Sequence, residues 1–137
     1  MKKNRTHSWL WWLASVLWLG VIFGQSHIPG DMSAAESQGL LAYLAQFCPF
    51  LTEAVLRKLA HFGEFAILGL LLSQCLRRDM LRPLFAGLVC ALSDETIQLF
   101  VAGRASMVKD VWIDFAGVTC AVVLVFALRA LLRRKRK

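Results

Sequence analysis

Between residues 58 and 114 the chain carries polar groups at helical spacing inside otherwise apolar stretches. Lys58, His61 and Glu64 follow one another three residues apart. Asp94 and Glu95 precede Gln98 by four and three residues, and Asp110 precedes Asp114 by four. Residues so spaced share one side of a helix. Their chemistry is specific. A carboxylate can act as general base and His61 as acid or base. The Arg104 guanidinium can hold a phosphate or carboxylate through paired hydrogen bonds. One histidine with several carboxylates can also ligate Mg²⁺, Mn²⁺ or Zn²⁺. Zinc is the poorer fit, because no second histidine or cysteine stands at ligand spacing. Metal and cofactor content are unknown from sequence.

The stretch "PLFAGLVCALSDETIQLFVAG" (83–103) makes the question sharp. Each charge at the centre of a bilayer costs roughly 2.5–3.5 kcal/mol on insertion scales. Retaining Asp94 and Glu95 together needs a reason. A rise of about 1.5 Å per residue puts Glu95 about 18 Å above Pro83 and Glu64 about 18 Å above Leu76. The same arithmetic puts His61 and Asp114 near 22 Å. Three helices thus bring acids and a histidine into one slab. The expectation is one outward-opening polar cavity. Within it, His61, Glu64, Asp94 and Glu95 are the candidate catalytic residues, with His61 and Glu95 foremost. Lys58, Gln98, Arg104, Asp110 and Asp114 are the candidate substrate-binding residues.

The elements that must position them follow from composition. The chain has 137 residues, 58% hydrophobic, which is too apolar for a soluble domain of this size. Four apolar stretches are long enough to cross about 30 Å of hydrocarbon. They lie at about 8–24, 55–76, 83–102 and 111–131. The expected fold is an all-α integral membrane bundle of four transmembrane helices. The first stretch is read as a retained helix rather than a signal peptide, with Trp9, Trp11 and Trp12 as interface anchors. The net charge of +7 is concentrated in "KKNR" (2–5), "RRDMLR" (77–82) and "RRKRK" (133–137). Basic flanks face the cytoplasm. Residues 1–7, the 77–82 turn and the tail 133–137 are therefore placed inside, and 25–54 and 101–110 outside. The partners implied are membrane lipids rather than nucleic acid.

In the first outer segment "SAAE" (33–36) has the form of a capping box. Leu40, Leu41, Leu44 and Phe47 follow, and Pro49 closes the pattern. This predicts a short amphipathic helix starting near Ser33, with an ordinary loop as the alternative. Gly103 is expected to close the third helix with a C-terminal turn. Arg57 is read as facing water or head groups, and Arg129 as reaching to the inner surface. Cys48, Cys75, Cys90 and Cys120 have neither metal nor redox spacing.

The polar blocks carry a family resemblance. "RKLAHFGEFAILGLLL" (57–72) and "LSDETIQLFVAGRASMVKDVWIDFAG" (92–117) resemble the VanZ-like family of small bacterial membrane proteins. The matching positions are Lys58, His61, Phe62, Glu64 and Phe65, then Asp94, Glu95, Gln98, Phe100, Gly103 and Arg104. Asp110, Val111, Asp114 and Gly117 complete them. The family's serine-rich end to the first span is replaced by "GQSHIP" (24–29), so the resemblance assigns no role to Gln25 or Ser26. It implies a place in the bacterial cytoplasmic membrane and action at the cell envelope. It also implies an association with resistance to teicoplanin, a glycopeptide antibiotic.

Three readings of the polar set stay open. It could bind an envelope precursor, a lipid head group or another lipid-linked small molecule. It could run acid–base or metal-assisted hydrolysis or transfer on a lipid-linked substrate. It could be a structural staple, although polar contacts between membrane helices average only about 0.6 kcal/mol. The acids also outnumber the bases, which a staple does not require. Oligomeric state is not legible.

Overall fold

The structure is a computed structural model that describes residues 8–44, 46–48, 51–104 and 106–135. The segment 1–7, Pro49 and the last two residues of the basic tail lie outside the described residues. Five α-helices and no strand occur among the described residues. They are α1 (Ser8–Ser26), α2 (Gly30–Leu44), α3 (Glu53–Cys75), α4 (Leu81–Gln98) and α5 (Val108–Arg134). The four apolar stretches are α1, α3, α4 and α5. Of these, α1 and α5 are long and apolar enough to cross a membrane. Ionisable residues interrupt α3 and α4.

Local chemistry sets the helix starts. Thr52 accepts the Val55 N–H at 3.3 Å and caps α3, with Glu53 in the first turn, where an acid suits the dipole. Asp79 accepts the Arg82 N–H at 3.0 Å, so α4 begins at Leu81, two residues before Pro83. Pro83 still lies in the first turn, where its missing N–H leaves no helical bond unmade.

The loop after α1 differs from the sequence expectation. A helix is present, but it begins at Gly30, and Ser33 lies inside it. The cause is a distant strut. The Gly30 N–H donates to the Ala102 carbonyl at 3.0 Å, and Asp31 accepts the Met32 N–H. These contacts nucleate the first turn ahead of the capping-box serine. A side chain at Gly30 would run into the Gly103 backbone, so the two glycines let these segments touch. Gly103 has φ 73°, a left-handed conformation suited to glycine. It closes the loop rather than α4 itself, which ends five residues earlier at Gln98.

The bundle is built around α3 and α5, its most extensive helix pair. Small residues bring them close. Gly117 lies against the Phe62 backbone, and a Cβ on Gly69 would sit 2.8 Å from the Val118 carbonyl oxygen. Helix α1 packs on α3 and α4, α4 packs on α5 and α3, and α2 leans on α3. Ile22, Phe65, Leu68, Ala91, Val118 and Val122 fill the core. The usual polarity of inside and outside is partly inverted: Asp94 and Asp114 are 0% exposed while Leu17 is 62% and Phe85 71% exposed. At the end near the 77–82 turn, Arg129 does not reach outward. It donates to the Ser73 carbonyl and to Gln74 Oε1, both at 2.9 Å, and tethers α5 to α3.

Candidate functional site

The C-terminal ends of α1 and α4 and the N-terminal ends of α3 and α5 meet at one end of the bundle, and the polar residues gather there. His61, one turn above Phe65 on α3, presents Nδ1 3.4 Å from Asp114 Oδ1 on α5. A ligand atom from each of His61, Asp94 and Asp114 lies within 4.8 Å of the others. Helical rise alone placed these residues at similar depth. The structure adds that they face one another.

Asp94 is held from two sides. Ser26, the last residue of α1, donates its hydroxyl to Asp94 Oδ1 at 2.5 Å. Gln98, one turn along α4, donates Nε2–H to Oδ2 at 2.9 Å. Asp114 has no such support: both of its oxygens are buried without a hydrogen-bond partner, as is His61 Nδ1.

Glu95 points elsewhere. Its Oε1 accepts the Met107 N–H at 2.5 Å, and its carbonyl accepts the Ser106 hydroxyl at 3.0 Å. Met107 is the N-cap of α5 and brings no side-chain cap of its own. Glu95 therefore supplies the negative charge that the start of α5 attracts. The residue that faces His61 at short range is Asp114, not Glu95. Sequence ranked Glu95 highly on depth, and depth does not report rotation about the helix axis.

Arg104 is similarly engaged. Its Nε–H donates to the Ile28 carbonyl at 3.0 Å, and an Nη2–H donates to the Gln25 carbonyl at 2.7 Å. It ties the loop after α4 to the end of α1. Burial first, and then the nearby Arg57 charge, hold its pKa below the ordinary arginine value. A guanidinium remains cationic regardless at neutral pH.

Two cavities open over this floor rather than the one expected. The larger, about 510 Å³, is lined by Lys58, Gln98, Arg104 and Asp110 among others. The smaller, about 190 Å³, lies under α2 and includes Ser26, Ser33, Ser37 and Glu64. His61, Arg57 and Arg104 line both. Arg57 keeps 38% of its side chain exposed at the cavity mouths and bonds Glu53 at 2.8 Å. All nine sequence-selected residues lie at this end, but not as one constellation. His61, Asp94 and Asp114 cluster, with Gln98 bound to Asp94. Glu64 faces the small cavity, Lys58 and Asp110 the large one, and Glu95 the start of α5.

Ser26 is a functional candidate to which the sequence reading assigned no role, because "GQSHIP" departs from the family's serine-rich end to the first span. Trp18 makes a contact without a local signal; its indole N–H donates to the Glu64 carbonyl at 2.9 Å.

A family model described as VanZ/LLP1 matches residues 11–130. The chain belongs to the VanZ/LLP1 family. The match runs from the first turn of α1 to near the end of α5, so every residue of the clustered end falls inside it. No curated protein and no solved structure matches significantly. VanZ/LLP1 membership and the two long apolar helices together point to a membrane protein.

Proposed function

We propose that this VanZ/LLP1 protein is a four-span protein of the bacterial cytoplasmic membrane whose polar end binds an anionic head group. The ligand is a lipid-linked envelope precursor or a lipid, and the activity contributes to protection against teicoplanin-type glycopeptides. Spans α1, α3, α4 and α5 leave both termini cytoplasmic, because basic residues flank the opposite end of the bundle. The apolar exterior and buried acids support this placement, since charges in a membrane bundle face its interior or a cavity.

The observation that carries the binding reading is the shared rim of the two cavities. Arg57 and Arg104 border both, and Lys58 borders the larger. Cations at the mouth and acids at the floor suit a ligand with an anionic head and a cationic or proton-donating group. The staple reading explains less. A staple satisfies its own groups, whereas His61 Nδ1, both Asp114 oxygens and Glu95 Oε2 are buried without partners. Hydrolysis or transfer on a lipid-linked substrate is the second reading, favoured by the placement of His61 against two acids beneath both cavities.

The test is teicoplanin susceptibility of a sensitive host expressing the chain or its Arg57→Gln variant at equal membrane level. Protection by the parent, reduced at least fourfold in the variant, supports the reading. Equal protection removes the cavity rim from it. No protection by the parent removes the resistance role.

A further inference from the structure

We propose that His61, Asp94 and Asp114 form a binding site for one divalent transition-metal ion of the Mn²⁺ or Zn²⁺ type. The inference is independent of head-group binding, because it concerns the floor beneath the cavities and can be read without any lipid ligand.

Three observations converge. The first is geometric. Two ligands each about 2.1 Å from an ion and at a tetrahedral angle lie about 3.4 Å apart. His61 Nδ1 and Asp114 Oδ1 are 3.4 Å apart. A ligand atom of Asp94 completes a group within 4.8 Å, so sub-ångström side-chain turns let one ion reach all three. The second is the set of orphaned atoms. Both oxygens of Asp114 are buried and make no hydrogen bond, and neither does His61 Nδ1. Desolvating a carboxylate with no partner is costly enough that it is paired or coordinates a metal. A proton shared between His61 Nδ1 and Asp114 Oδ1 would pair those two atoms but leave Asp114 Oδ2 without a partner. A cation between the two side chains satisfies both at once.

The third is charge and support. Asp94 and Asp114 are fully buried, and among the described residues neither forms an ion pair with lysine or arginine. The Arg104 guanidinium is committed to the Gln25 and Ile28 carbonyls, and that of Arg57 to Glu53. A protonated His61 would balance one of the two carboxylates, whereas a divalent ion balances both. Ser26 and Gln98 meanwhile fix the Asp94 carboxylate, as residues that orient a metal-binding carboxylate do. They are positioning residues. Each Asp94 oxygen accepts one hydrogen bond and keeps a further lone pair for an ion. One imidazole and two carboxylates make a mixed donor set, with imidazole favouring zinc and carboxylate favouring manganese. Three protein ligands leave coordination positions open, and His61 lines both cavities, so those positions are reachable from either.

The experiment uses the full chain, purified in detergent and stripped with a chelator. Mn²⁺ is titrated and free ion is followed by its electron paramagnetic resonance signal. One saturable site per chain is expected, displaced by Zn²⁺, which stands above Mn²⁺ in the affinity order. Echo-envelope modulation should show one imidazole nitrogen on the bound ion. Asp114→Asn and His61→Gln should weaken binding at least tenfold, and His61→Gln should erase the nitrogen signal. Ser26→Ala should weaken it less and leave that signal in place. Asp79→Asn, at the opposite end of the bundle, should bind as the parent does. Absence of a saturable site in the folded parent overturns the proposal. So does a site without nitrogen modulation, or binding unchanged in both ligand variants. The parent measurements decide the matter even if a ligand variant fails to fold.

Discussion

Replacing Gly117 by alanine should separate the two central helices. A Cβ there would be 3.2 Å from the Phe62 carbonyl carbon, 3.1 Å from the Ala66 nitrogen, and closer still to the Phe62 carbonyl oxygen. Attractive contacts between non-bonded carbons are optimal at about 3.5–4.0 Å, so the new methyl overlaps backbone on several sides. Backbone in a helix cannot rotate away as a side chain can. The whole of α5 must shift against α3, at the upper end of the roughly 1–3 kcal/mol that overpacking costs. Alanine's better helix propensity returns about 1 kcal/mol. The net is a loss of about 2 kcal/mol, or roughly 6 °C in melting temperature for a chain of this size. Gly63 is the control, because a Cβ there meets nothing within 4 Å. Gly63→Ala gains the same propensity without the overlap, so it should leave the melting temperature unchanged or raise it. The assay is thermal unfolding of both variants in one detergent. If Gly117→Ala melts at or above the parent, α3 and α5 do not approach as closely as described. The alignment of His61 with Asp114 would then lose its foundation.

Ser26→Ala removes a hydrogen bond to a buried carboxylate and should cost about 1.5–3 kcal/mol in unfolding free energy. Because Ser26 and Gln98 hold the same carboxylate, the double change with Gln98→Leu should depart from additivity by at least 0.5 kcal/mol, in the range typical of coupled residues. Glu95→Gln keeps an acceptor for the Met107 N–H and loses only the charge at the α5 terminus, about 0.3–1 kcal/mol. Glu95→Ala also loses the bond, so its unfolding midpoint should fall further. Topology is checked in a cysteine-free background with a membrane-impermeant maleimide on intact cells. Cysteine placed at Lys109 should react, and cysteine placed at Arg78 should react only after permeabilisation.

Sequence carried the helices and the polar slab because both are properties of position along the chain. Hydropathy locates α1, α3, α4 and α5, and a fixed rise per residue puts His61 and Asp114 at one depth. What sequence could not carry was rotation and reach. Asp94 and Glu95 are neighbours, yet one faces α1 and α3 while the other turns to the start of α5. A helix turns about 100° per residue, so adjacent acids must part. The Ser26–Asp94 bond spans 68 residues and leaves no local periodicity to find. The capping box at Ser33 failed because a contact between Gly30 and the 102–103 backbone lies outside any local window.

The same geometry explains why charges can be concentrated at one end of so small a bundle. Acids buried between helices are costly where the helices can move apart and admit nothing to compensate them. Here the α3–α5 contact is fixed by glycine against backbone, and α1 is fixed to α4 through Ser26 and to α3 through Trp18. Arg104 pins the loop above by two carbonyls. The frame around His61, Asp94 and Asp114 is therefore set by contacts that do not involve the unpaired atoms themselves. A structural staple would be built the other way, with its polar atoms making the contacts that hold the helices. In this bundle glycine contacts hold α3 to α5, and the side chains of Ser26, Trp18 and Arg104 hold α1 and the loop after α4. Asp114 Oδ1 faces His61 Nδ1 at 3.4 Å, and neither Asp114 oxygen is spent on holding a helix in place.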